Sequence, residues 1–171
     1  MMATVLSHLD RLTTEDFAVV NGKVVISAAA CATMAACPDS ATVSSRVHGR
    51  YRRRLADVAL AGRPVVLNLC VRRFVCVKPD CRRRTFVEQV EGVTSRFTRR
   101  SQPLRRTLMA IGHALAGRAG ARLSRLLGIG VSPNTMLRLI RSQCDRPSVR
   151  APRVLGVDDF ALNRATSTAP S

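Results

Sequence analysis

Val65-Val-Leu-Asn-Leu-Cys-Val-Arg-Arg-Phe-Val-Cys76-Val-Lys-Pro-Asp-Cys81-Arg-Arg-Arg-Thr-Phe86 sets a run of β-branched and aliphatic residues directly before a close pair of cysteines. The run reads as a β-strand. Cys76 and Cys81 flank Val-Lys-Pro-Asp, a knuckle-like spacing that can present two thiolates to one tetrahedral Zn²⁺. Upstream, Gly62-Arg63-Pro64 marks a break, and Val43 to Tyr51 supplies the other strand of a pair. Cys37-Pro38 looks like the start of a partner knuckle, but Cys37-Pro-Asp-Ser40 has serine where Cys-x-x-Cys would place its second thiol. Serine is a poor zinc ligand, so Cys37, Cys76 and Cys81 need a fourth partner. Cys31 or His48 could supply it, although neither has the expected spacing. Cys70 reads simply as a strand residue. Nearer the N-terminus, Asp16 to Ser27 holds two β-branched runs around Asn21-Gly22, a dipeptide tolerant of positive φ that suits a two-residue hairpin turn.

The texture changes after Ser101. Leu104, Leu108, Ile111 and Leu115 recur at helical spacing behind Pro103, which sits in the first turn where amides lack intrahelical partners. Gly117 and Gly120 bracket an expected turn before a short second helix, Ala121 to Leu127. Gly128-Ile-Gly-Val131 breaks that helix, and Ser132-Pro133 supplies a capping oxygen and a first-position proline for a third, from Pro133 to about Ser142. On this last helix Met136, Leu137 and Ile140 can pack inward, while Asn134, Arg138 and Arg141 fall on another face. Two helices joined by a glycine-containing turn match a helix-turn-helix, whose second helix offers side chains to base edges in the major groove. Asn134, Thr135 and Arg138 are the expected base-reading residues, since Asn suits adenine and Arg suits guanine.

Charge points to the same partner. The 171 residues carry 28 basic and 11 acidic side chains, a formal charge of +17. Between Arg46 and Arg106 stand 17 of the basic residues and only four acids, Asp57, Asp80, Glu88 and Glu91. Base composition could inflate arginine everywhere, but it would not remove acids from this stretch. A polyanion is the natural ligand, and Arg52, Arg53, Arg54, Arg72, Arg73, Arg82 and Arg83 are expected to hold phosphates. Met1 to Leu12 lacks the basic head and apolar run of a signal peptide, and no stretch approaches the ~20 apolar residues of a membrane helix. A cytoplasmic location follows as the expectation, with the six cysteines as ligands or buried thiols rather than disulfides.

Beyond a linker of two prolines, from Cys144 to Pro152, Val154-Leu-Gly-Val-Asp-Asp-Phe-Ala161 forms a strand-like run ending in carboxylates. Taken in order, Cys37-Pro, Ser45-Arg-Val-His48, Tyr51-Arg-Arg-Arg54, Val71-Arg-Arg-Phe74, Cys76-x4-Cys81, Gly120-Ala-Arg-Leu123, Ser132-x-x-Thr-x-Leu-Arg138 and Val154 to Ala161 resemble the ISL-three family of insertion-sequence transposases. The resemblance implies a bacterial, nucleoid-associated protein in which a zinc ribbon and a helix-turn-helix recognise terminal inverted repeats of double-stranded DNA. It further implies an RNase H-like domain whose three carboxylates hold Mg²⁺. Asp158 corresponds to the first of these. The second aspartate and the glutamate have no counterpart in the ten residues after Ala161. One carboxylate cannot hold a metal pair, so Mg²⁺ chemistry is expected only in an intact family member, and this chain is expected to be catalytically incompetent alone.

The expected fold class is α+β. A β-hairpin region (1–30) and a small zinc-ribbon-like β module (31–92) precede a three-helix helix-turn-helix domain (101–143). A linker (144–152), the truncated first strand of the catalytic domain (153–161) and a disordered tail (162–171) complete it. The expected function is that of a DNA-binding transposase fragment, with a second copy or an intact transposase as protein partner. A stand-alone regulator competing for the same repeats, or a zinc-ribbon RNA-binding protein, are the other readings of these residues.

Overall fold

The computed structural model describes residues 9–144, and within them the chain is α+β. Seven strands come first: β1 (Leu12–Val20), β2 (Lys23–Ala30), β3 (Ala35–Ala36), β4 (Val43–Ser44), β5 (Val47–Leu60), β6 (Arg63–Val75) and β7 (Thr85–Val87). Two helices follow, α1 (Gln102–Leu126) and α2 (Pro133–Cys144). The hairpin at Asn21-Gly22 is present, both residues having positive φ (49° and 73°) as the twist of a two-residue turn requires. Ala61-Gly62 repeats the device between β5 and β6 (50° and 73°). The first strand of this second pair is longer than the sequence suggested, running from Val47 to Leu60.

β6 is the centre of the main sheet, ordered β1-β2-β6-β5. On one side it pairs antiparallel with β5 along almost its whole length. On the other, β2 runs parallel to it from Val65 to Cys70 and β7 antiparallel from Arg73 to Val75. The N-terminal hairpin is therefore hydrogen-bonded into the same sheet as β5–β7. Period-2 alternation puts Val65, Leu67, Leu69 and Val71 on the buried face, level with Val24, Ile26, Ala28 and Leu55. Val90 and Val93 cover them from the segment after β7. Each fully buried Leu or Val here contributes about 1.5–3 kcal/mol.

Two helical elements form where three were expected. Ala116 interrupts α1 with non-helical φ/ψ of 55° and −156°, so the expected break appears as a kink, and Gly117 and Gly120 lie inside α1 as buried residues. Ser101 caps α1, its hydroxyl accepting from the Leu104 amide at 3.2 Å and donating to the buried carboxylate of Asp57 on β5. That contact joins sheet to helix. Leu104, Leu108, Ala121, Ile129, Val131 and Met136 form the helical core, with Val58 and Ala59 of β5 packed against it.

Gly128 closes the junction. It has φ of +80°, and a Cβ there would lie 2.2 Å from the carbonyl oxygen of Gly62 in the β5–β6 turn. Nothing lies within 4 Å of a Cβ built on Gly130, two residues on. Gly128→Ala is expected to lower stability by more than about 1 kcal/mol, and Gly130→Ala to change it by less than about 0.5 kcal/mol. Urea midpoints at unchanged slope would measure both; equal midpoints for the two variants would show that the Gly62 contact is not needed.

Candidate metal knuckle and nucleic-acid surface

The two cysteine-bearing turns face each other. In the first, β3 and β4 pair, the Cys37 amide donates to the Thr42 carbonyl at 2.9 Å, and the Ala41 amide donates to the Cys37 carbonyl at 2.8 Å. In the second, the Cys76 amide donates to the Arg84 carbonyl at 2.9 Å and the Cys81 amide to the Lys78 carbonyl at 3.2 Å. Behind them Phe74 and Phe86 stack with ring centroids 5.9 Å apart, closing an apolar cluster with the three buried cysteines. Phe74 is thus a core residue. An ion pair between Arg83 Nε and Asp39 Oδ2 (2.8 Å) bridges the two turns.

The sulfurs of Cys37, Cys76 and Cys81 all lie within 4.8 Å of one another. Cys37 and Cys81 are 3.9 Å apart, and the Ser40 hydroxyl is 3.5 Å from the Cys76 sulfur. A tetrahedral zinc with bonds of ~2.3 Å to sulfur and ~2.0 Å to oxygen separates its ligands by about 3.8 Å (S to S) and about 3.5 Å (S to O). The Cys37–Cys81 and Ser40–Cys76 spacings fit that group. Among the described residues no further His, Cys, Asp or Glu joins the cluster. Cys31 is exposed beside the Thr13 hydroxyl (3.3 Å), and His48 is exposed on β5, so neither stands at the fourth corner. Ser40 does.

The thiols are biased unequally. Burial pushes Cys37 up, but hydrogen bonds from the Ser40 hydroxyl and the Asp39 and Ser40 amides outweigh it and bring the thiol down to about 6. At Cys81 the Arg83 amide acts downward, yet burial and the hydrogen bonds with Cys76 and Cys37 leave the group above its ordinary value. The two thiols of one cluster are thus shifted in opposite directions.

The arginines divide into those the fold uses and those it leaves free. Glu88 is buried and binds Arg72 three ways, accepting from its amide (2.7 Å), Nε (3.1 Å) and Nη2 (2.6 Å). Arg72 also donates to the Ala32 carbonyl, and its guanidinium, held above its ordinary pKa by Glu88, lies over the Phe74 ring. Arg53 donates to the carbonyls of Ser95 and Thr98, both at 2.6 Å. With Arg83 bound to Asp39, three of the cations expected to hold phosphate are committed inside the fold. Arg52 and Arg54, joined by Arg50, alternate along β5 on one exposed face. Arg73 and Arg82 are also exposed. Arg100 is pushed down by burial and by the adjacent Arg105, a sign of crowded positive charge.

On α2, Asn134, Arg138 and Arg141 are exposed and Met136 is fully buried, as the spacing predicts. Thr135 is half-buried in the helix cap, its amide and hydroxyl both bonded to the Ser132 hydroxyl (3.2 and 2.9 Å). Sequence reading passed over Arg118, Arg122 and Arg125. Their i, i+4, i+7 spacing on the second half of α1 was the available signal; they line a cleft with Pro133 at the start of α2. From Ser101 to Cys144 the chain has seven arginines and no acid. Asp158, with the expected linker, catalytic-domain strand and tail beyond Cys144, lies outside the described residues. Among the described residues no helix is long and apolar enough to cross a membrane.

No curated protein and no solved structure gives a match to this chain. A family model does: residues 34–81, from the first cysteine turn through β5 and β6 to Cys81, match the zinc-finger of transposase IS204/IS1001/IS1096/IS1165.

Proposed function

We propose that this chain is the DNA-binding part of an insertion-sequence transposase, held in shape by a zinc knuckle and reading terminal inverted repeats with α2. The observation that carries this reading is the acid-free helical pair, on which Asn134, Arg138 and Arg141 are exposed and Arg118, Arg122 and Arg125 line a cleft at the start of α2. In this arrangement the helix enters the major groove, Arg138 takes a guanine edge, Asn134 an adenine edge, and the flanking arginines hold phosphates. Thr135 serves the helix cap. Arg50, Arg52 and Arg54 on β5 add a sequence-independent grip on the backbone. The zinc-finger match at residues 34–81 supports the transposase assignment.

Zinc, when bound, would offset two of the three thiolate charges and lock the two turns together. Cys37, Cys76 and Cys81 hold it. One equivalent of zinc per chain is expected, lost in Cys76→Ser, with chelation lowering the thermal midpoint. A purified protein that neither retains nor takes up zinc would remove the metal from this reading. Ser40→Cys supplies a fourth thiolate and is expected to tighten binding at least about tenfold, or about 1.4 kcal/mol, in competition with a chromophoric chelator.

Selection from a random duplex library tests the DNA reading. A sequence motif should emerge, Arg138→Ala should cost about 1–3 kcal/mol on that motif and little on a scrambled duplex. Arg52→Ala and Arg54→Ala should weaken both duplexes alike and each reduce the salt slope by about 0.9. If no motif is enriched and Arg138→Ala binds as the parent does, sequence recognition by α2 is wrong.

A further inference from the structure

Phe97 is a large aromatic residue with 93% of its surface exposed, at a φ of 58° that bulky L-residues avoid. Solvent gives no reason for either property. The turn that carries it is nonetheless bonded along its backbone. Arg53 reaches from β5 to bond the carbonyls of Ser95 and Thr98 on either side of Phe97, both at 2.6 Å. The Thr98 hydroxyl lies 3.2 Å from both the Ser95 and Arg100 carbonyls, and Gln102 Nε2 donates to the Thr94 carbonyl at 3.0 Å. A ring held out this firmly is presented rather than left over.

Its surroundings carry arginine and aromatic side chains, and of the acids on the same lining, Asp10, Glu88 and Glu91, the last two are paired with Arg72 and Arg11. The Arg96 guanidinium sits over the ring, 5.1 Å from its centroid. Phe97 and Arg96 line a groove of about 1110 Å³ together with Arg73, Arg99 and Tyr51, the last 43% exposed. Among the described residues no ion pair engages Arg73, Arg96 or Arg99. An anionic strand with π-faces matches both features, because base stacking on an aromatic ring and phosphate contact with arginine act together along single strands, and apolar wedges enter between base steps in kinked duplexes.

We infer that Phe97 stacks on an unpaired or extruded base of bound DNA, with the phosphates of that strand on Arg96 and Arg99. This rests on the DNA-binding reading but involves a different surface from α2. Because the chain contains no tryptophan, Phe97→Trp creates a single reporter in the full-length protein. The probes are a short duplex with one unpaired thymidine and the same duplex fully paired. The bulged duplex should quench the Phe97→Trp emission, and Phe97→Ala should weaken its binding by about fivefold or more, leaving the fully paired duplex within about twofold. Unchanged circular dichroism of Phe97→Ala is expected at so exposed a site.

Binding of both duplexes with no quenching and no loss in Phe97→Ala would overturn the stacking role while leaving DNA binding by α2 in place. Failure of the parent protein to bind either duplex would overturn both. A Phe97→Trp emission that shifts with protein concentration in the absence of DNA would assign the ring to self-association and overturn the inference as well.

Discussion

The backbone hydrogen-bond ladder of β6 is the constraint on which the other parts depend. A strand bonded on both sides cannot slip by one residue without turning Leu67, Leu69 and Val71 out of the core. The same register fixes the strand's far end, where Phe74 stacks on Phe86 and Cys76 follows directly. The thiol cluster is therefore an extension of the sheet. Its second turn is the continuation of β6, and its first is tied on by Asp39 and Arg83. Zinc, on this view, locks a geometry that the sheet already approximates.

So much arginine in one small fold raises a problem of charge that is met locally. Buried Glu88 gathers Arg72, Asp39 takes Arg83, and backbone carbonyls alone hold Arg53. Of these, the Arg72–Glu88 pair is buried, and removing one of its partners leaves an uncompensated charge at a cost of about 3–5 kcal/mol. Few acids remain to neutralise the others, so Arg50, Arg52 and Arg54 on β5, Arg106, Arg118, Arg122 and Arg125 on α1, and Arg138 and Arg141 on α2 face solvent. That exposed charge is what the proposed polyanion ligand would meet.

Local chemistry was legible in the sequence and long-range pairing was not. Asn21-Gly22 announced its turn because two residues determine it, and Ser132-Pro133 announced α2 because capping is local. The α1 break was misplaced since glycine spacing at 117 and 120 served helix packing, while the kink fell on Ala116. Arg53, Arg72 and Arg83 looked equivalent to their neighbours, because the groups that hold them lie 42, 16 and 44 residues away. Ser40 is the instructive case. Residue type argued against it as a ligand, and only the fold placed its hydroxyl beside the Cys76 sulfur.

The seating of Gly128 against Gly62 has a consequence for how the molecule would lie on a long ligand. The end of α1 presses directly on the tip of the β5–β6 hairpin, and the Ser101 contact with Asp57 pins the other end of the same helix to the same strand. Two separate contacts thus hold the helical pair against the sheet. On the proposed DNA-binding reading, the spacing between the arginine-bearing face of β5 and the exposed face of α2 would act as a ruler, selecting the helical phase along a duplex at which both surfaces can land together.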